Sequence, residues 1–247
     1  MSFFDIWVRW KDKAVRSLRK RGVFGTAKVM LQLIKENLNL SDRWSIYQNE
    51  SFDKRFGVDT AAGLAWAELQ SDPRFKHFTV YGATPRAVFF RMLHQLKVDY
   101  RELLFIDFGC GKGKALLLAS ELHFKQIIGI ELSSKLIRVA EENLKTYRGG
   151  TLQRDLFQLV CMDVCEYPIP PAPAIYYFAN PFPVEVMRRV LENLRSSLAA
   201  APREIYIVYL EHELRALLDD SGFLTPIKRT SLYSIWKVAR TPWASSR

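Results

Sequence analysis

Leu103-Leu104-Phe105-Ile106-Asp107-Phe108-Gly109-Cys110-Gly111-Lys112-Gly113 is the stretch whose reading decides the fold. Its first five residues are a short apolar run that predicts a buried strand, and the three alternating glycines predict a tight turn. A helix is expected from Lys114 to about Leu122. Working outward, strands are expected at Gln126 to Glu131, Phe157 to Met162, Ala174 to Ala179 and Glu204 to Leu210. Helices fall between them, at Ser133 to Tyr147 and Val184 to Leu198. Strands that alternate with helices imply a doubly wound, mostly parallel α/β sheet. Phe223 to Lys228 and Leu232 to Val238 are two further strand-like runs with a short turn between them, which requires an antiparallel hairpin at the C-terminal end. The expectation is therefore a seven-stranded sheet.

Open α/β sheets bind ligands beyond the carboxyl ends of their strands, so the glycine turn marks a ligand site. A dinucleotide loop reads G-x-G-x-x-G, whereas the glycines here stand at Gly109, Gly111 and Gly113, one residue too short. A phosphate-binding P-loop needs a glycine and a hydroxyl residue where Phe108 and Ala115 stand, so that reading fails twice. D-x-G-x-G-x-G remains. Two more acidic residues follow at successive strand ends: Glu131, 18 residues after Gly113, and Asp163. Taken singly, Asp107 reads as a helix cap, Glu131 as a solvated strand end and Asp163 as a turn residue. Together, at three neighbouring strand ends, they point to one nucleoside-like ligand, with Glu131 placed to accept bonds from ribose hydroxyls.

Upstream, Thr84-Pro85 reads as an N-cap and first helical residue, followed by Val88, Phe89, Met92, Leu93 and Leu96 at helical spacing. Residues 41–80 are mixed and turn-rich. From Phe3 to about Asn39 the pattern reads as two helices, so residues 1–80 are expected to form a basic helical extension to a domain at 81–247. The formal charge is +10. Met1 to Leu40 holds nine Lys/Arg against Asp5, Asp12 and Glu36, so +6 of that charge lies there. Aromatic residues beside that basic run fit an anionic membrane surface or nucleic acid, and equally a helix packed on the main domain.

No apolar run approaches the roughly 20 residues of a membrane-spanning helix, and the N-terminus lacks the pattern of a secretory leader. The three cysteines have no zinc-like spacing. These features predict a cytoplasmic protein with reduced thiols and no metal site, in contact with a membrane at most peripherally.

On Tyr81-Gly82-Ala83-Thr84, the Asp107 to Gly113 loop, Glu131, Asp163 and Asn180-Pro181-Phe182-Pro183, the chain resembles class I S-adenosylmethionine-dependent methyltransferases, which have a Rossmann-like fold. Within them it is most similar to the non-SET protein-lysine methyltransferases of the disruptor-of-telomeric-silencing type and their bacterial relatives. The resemblance implies S-adenosyl-L-methionine as cofactor, with Tyr81, Thr84, Asp107, Gly109, Gly111, Gly113, Glu131 and Asp163 binding it. It further implies that Asn180 and Phe182 flank the transferred methyl group. Ala83 stands where that family usually has an acidic residue. Asn180-Pro181-Phe182 is also similar to the N-P-P-F/Y motif of methyltransferases acting on planar amino groups, one proline short.

The implied reaction is methyl transfer to an amine nitrogen, a lysine of a protein substrate ahead of a nucleic-acid base or small molecule. A non-catalytic binding module that retains the fold is the competing class. In-line methyl transfer to a neutral amine rests mainly on alignment, which can supply on the order of 7–11 kcal/mol. An aromatic channel of Phe182, with Tyr176 or Tyr177, would depress a lysine's pKa by desolvation. Glu211 and His212 follow the fifth strand and read either as substrate contacts or as the start of a surface helix.

Overall fold

The computed structural model describes residues 51–61, 83–150, 152–179, 182–211 and 213–238. They all lie in one compact unit, Gln48–Arg247. The basic helices expected before Asn39 fall outside the described residues, as do Tyr81, Asn180 and His212.

A seven-stranded sheet forms the centre: β1 Leu104–Phe108, β2 Gln126–Glu131, β3 Phe157–Cys161, β4 Ala174–Ala179, β5 Ile205–Leu210, β6 Leu224–Arg229 and β7 Tyr233–Val238. Their spatial order is β3-β2-β1-β4-β5-β7-β6. β1 to β5 run parallel, while β7 is antiparallel to both β5 and β6. β1 and β4 are fully buried apart from the half-buried Ala179, which is why each reads as a continuous apolar run without alternation. The outer strand β6 is exposed beyond Leu224. Pro226, a register shift between Pro226 and Lys228, and the charges of Lys228 and Arg229 blunt that edge against pairing with another chain.

Side chains alternate across the sheet into two cores. Phe105, Ile127, Ile175, Tyr177, Val208 and Ile235 share one face with the helices α1 Arg86–Leu93 and α2 Lys114–Ala119 and with Ile137 of α3 Ser134–Thr146. Ile106, Phe108, Ile130, Tyr176, Phe178, Ile207 and Trp236 share the other with α4 Val184–Ala200 and α5 Arg215–Asp219. Trp236 donates from Nε1 to Asp219 Oδ1 at 2.8 Å, which ties α5 to the C-terminal hairpin.

Thr84 does not cap α1. Pro85 holds the N-cap position without a side-chain bond. The Thr84 hydroxyl is 2.8 Å from the Tyr177 hydroxyl instead, and a buried partner on β4 outcompetes a local cap. The turn-rich stretch before it contains a short helix at 51–56, whose Phe52 and Phe56 pack against Tyr147. No described helix is long and apolar enough to cross a membrane. Cys110, Cys161 and Cys165 are free thiols, with Cys161 alone exposed.

Candidate active site

Strand order reverses between β1 and β4: β1 continues through β2 to β3 on one side, and β4 through β5 on the other. The carboxyl ends of these strands therefore open a crevice at the switch point, where ligands of open α/β sheets sit. The glycine loop fills the rim of that crevice.

Gly109, Gly111 and Gly113 have φ values of 82°, 53° and 81°, a region that side-chain-bearing residues rarely adopt. Three N–H groups tie the loop to the end of β2. Gly109 and Cys110 donate to the Ile130 carbonyl at 2.8 and 3.0 Å, and Gly111 donates to Glu131 Oε2 at 3.1 Å. Glu131 Oε1 accepts from Ser133 N at 2.9 Å, so its carboxylate is held on both oxygens. Gly129, one turn of the pleat earlier, lets α2 and the loop approach closely. A Cβ there would lie 2.6 Å from Leu116 Cδ1 and 2.8 Å from Cys110 Sγ.

Glu131 is 8% exposed and Asp107 3% exposed. Burial raises the pKa of both, and at Asp107 burial, with the Glu131 charge adding to it, carries the carboxyl well above its usual range. Bonds from Ser133, Gly111 and Leu132 N–H groups partly offset the rise at Glu131. Among the described residues, no donor bonds the Asp107 carboxylate. Such a group favours a cation or stays protonated. Asp163 follows β3 and is half-buried; its Oδ1 accepts from Cys165 N at 2.8 Å. Cys161 pairs in register with Glu131, so Asp163 stands beside Glu131 at the same edge of the sheet.

Tyr177 lies opposite Asp107 across the β1–β4 pair. Its hydroxyl meets Thr84, and burial first, then Asp107 and Glu211, pushes its pKa upward. The phenol therefore stays neutral, fully buried beside Asp107. Glu211, just beyond β5, carries φ 88° without being glycine, a strained backbone at the same rim. The structure thus gathers Thr84, Asp107, the three glycines, Glu131 and Asp163 at one end of the sheet.

Phe182 follows the carboxyl end of β4. It is 3% exposed, belongs to the core on the α4 face, and meets Phe178 edge-on at 6.1 Å between ring centroids. Tyr176 points into that same core, whereas Tyr177 points into the core on the opposite face.

Three features fit a nucleoside with a cationic tail: a turn that three glycines open to close approach, a buried carboxylate held on the rim, and a second carboxylate that no donor bonds among the described residues. Fold and rim together are those of a domain that binds a nucleoside-like ligand at the switch point of its sheet. In agreement, residues 105–201 match a methyltransferase-domain family. No curated protein matches the chain. Solved structures that it is similar to include an RNA methyltransferase from Salinibacter ruber in complex with S-adenosyl-L-homocysteine, with 23% identity, TM-score 0.43, and coverage of 63% of this chain and 91% of that one. Magnesium protoporphyrin IX methyltransferase from Synechocystis PCC 6803 with bound cofactor shows 15% identity, TM-score 0.41 and coverage of 63% and 77%. Precorrin-6y C5,15-methyltransferase from Geobacter metallireducens GS-15 shows 14% identity, TM-score 0.43 and coverage of 66% and 90%. The chain is an enzyme that uses S-adenosyl-L-methionine to methylate an acceptor.

Sequence reasoning left out Asp59, Lys112, Asn143 and the hydroxyl contact of Tyr177, all of which touch the loop or its neighbours. Asn143 did leave a signal. It falls on the stripe Leu136, Ile137, Ala140 that buries α3, a polar residue where an apolar one is expected.

Proposed function

We propose that the chain is an N-methyltransferase whose acceptor is an amine of a protein side chain, a lysine. The observation that carries this reading is the sign of the rim. Asp107, Glu131, Asp163 and Glu211 stand at the carboxyl ends of β1, β2, β3 and β5, in a chain whose overall charge is +10. A local cluster of carboxylates in a basic protein suits a cationic ligand and a cationic acceptor. A polyanion would meet repulsion at the point of reaction.

Bound S-adenosyl-L-methionine supplies an electrophilic methyl group. In this reading Gly109, Gly111 and Gly113 let the backbone approach it, Glu131 accepts from the ribose, and Asp163 holds the adenine amino group. Asp107 faces the cationic methionine end, and Tyr81 and Thr84 close over it. Asn180 orients the acceptor nitrogen, with Phe182 anchoring the segment that carries it. The protein contributes by alignment and by excluding water, which favours the neutral amine.

The test is incubation of a fractionated lysate with cofactor carrying a labelled methyl group. Label is expected in protein, on lysine after hydrolysis. Label confined to RNA would overturn the protein-amine reading and favour the planar-amine reading of Asn180-Pro181-Phe182; label confined to small molecules would overturn both.

A further inference from the structure

The loop lysine does not face the crevice. The Lys112 side chain is 2% exposed, and its Nζ donates to Asp59 Oδ1 at 2.7 Å and to the Ala61 carbonyl at 3.2 Å. A lysine is rarely so buried unless paired. Asn143, 3% exposed, completes the connection. Its Nδ2 donates to the Lys112 carbonyl at 2.9 Å and to the Asp59 carbonyl at 2.8 Å, and its Oδ1 accepts from Asp59 N at 2.7 Å. Both N–H donors and the oxygen of that amide have a backbone partner, which also fixes its orientation.

On the other side, Asp53 folds residues 59–61 into shape. Its Oδ2 accepts from Thr60 N at 2.8 Å and Ala61 N at 2.6 Å, and its Oδ1 from the Thr60 hydroxyl at 2.6 Å. Phe52 lies under Lys114, whose Nζ is 4.6 Å from the ring centroid. Arg148 N donates to the Phe56 carbonyl at 2.9 Å, which fastens the same segment to the end of α3.

We propose that Asp59, Lys112 and Asn143 form a clasp through which residues 51–61 position the cofactor loop, and that they are positioning residues of the methyltransferase. This rests on the reading of the Asp107 to Gly113 loop as the cofactor loop. Gly111 and Gly113, the residues on either side of Lys112, are in the left-handed region, and glycine backbone is otherwise free to wander. Fixing the Lys112 carbonyl and ammonium from outside removes that freedom before the cofactor arrives. Preorganisation of this kind shows as affinity. By linkage, the cofactor in turn stabilises the clasp.

The variants are Asp59→Ala, Asp59→Glu and Asn143→Asp in the full chain, and the probe is S-adenosyl-L-homocysteine, titrated calorimetrically. Asp59 is 66% exposed in its side chain, so truncating it removes little packing, and a melting curve of the variant reads what the unpaired Lys112 costs. Asn143→Asp keeps the shape of the amide but replaces its two-donor nitrogen with one oxygen facing two carbonyls. Both Asp59→Ala and Asn143→Asp are expected to weaken binding at least tenfold, and Asp59→Glu to restore most of it. Amide exchange in residues 51–61 should slow when the probe binds the unaltered protein, a response that a merely structural residue would not control, and it should not slow in Asp59→Ala.

Binding within twofold of the unaltered protein in a folded Asp59→Ala variant overturns the clasp and leaves the cofactor reading standing. If Asn143→Asp fails to fold, Asp59→Ala and the exchange measurement decide alone. Absence of binding by the unaltered protein overturns the cofactor reading, and the clasp with it.

Discussion

Gly129→Ala is the sharpest probe of how the sheet holds the glycine loop. Gly129 sits on β2 opposite Asp107, outside the left-handed region, so an alanine there has no backbone cost beyond the ordinary. Its methyl group would arrive 2.6 Å from Leu116 Cδ1, 2.8 Å from Cys110 Sγ and 3.1 Å from Cys110 Cβ. To reach the short end of normal carbon contact, about 3.5 Å, Leu116 must retreat by roughly 0.9 Å. Leu116 is 0% exposed and surrounded by core, and Cys110 is part of the loop itself. Overpacking of that size typically costs about 1–3 kcal/mol. In a unit of this length, roughly 2–12 °C of melting temperature follows. The loop moves with Cys110, so affinity for S-adenosyl-L-homocysteine should fall about tenfold or more, equivalent to some 1.4 kcal/mol. Thermal melting and calorimetric titration read the two effects separately. A double variant with Leu116→Val should recover part of both, because the branch that clashes is gone. If Gly129→Ala melts and binds like the unaltered protein, the close approach of α2 to β2 is not what sets the loop.

Two further outcomes follow from the buried groups at the rim. Asp107 has its pKa raised in the folded state, by burial first and Glu131 second, so the folded protein holds a proton that the unfolded chain has lost. The stability of the cofactor-free protein should therefore fall as pH climbs above about 4, the ordinary carboxylate value, while affinity for the cationic cofactor rises over the same window as Asp107 ionises. Asp107→Asn should raise the melting temperature of the free protein at neutral pH and flatten both profiles; an unchanged pH dependence of binding would remove Asp107 from the site. Tyr177→Phe leaves the buried Thr84 hydroxyl without its partner, at a cost of about 1–3 kcal/mol. Cofactor affinity should weaken with stability, and an effect on stability alone would mean that Thr84 serves only the core.

The strands were legible because each is a local property. β2 and β4 fall on the residues that their apolar runs predict; β3, β5 and β7 differ from expectation by one residue at one end, and β1 and β6 are shifted by one residue. Glycine spacing was equally local, and it separated this loop from two other nucleotide loops without any knowledge of neighbours. The three-residue turn before β7 announced the antiparallel end of the sheet, though not that β7 would insert between β5 and β6.

What the chain alone determined, then, is the succession of elements and the chemical type of the loop, since both depend on residues a few positions apart. Tertiary structure decided which polar groups are buried and what they touch. Thr84 meets Tyr177 across 93 residues, and Asn143 meets Asp59 across 84. Periodicity tells which face of an element turns inward, but the partner waiting there is chosen by packing between distant segments. For that reason Lys112, in the sequence only a position between two loop glycines, emerges in three dimensions as the buried end of an ion pair with Asp59.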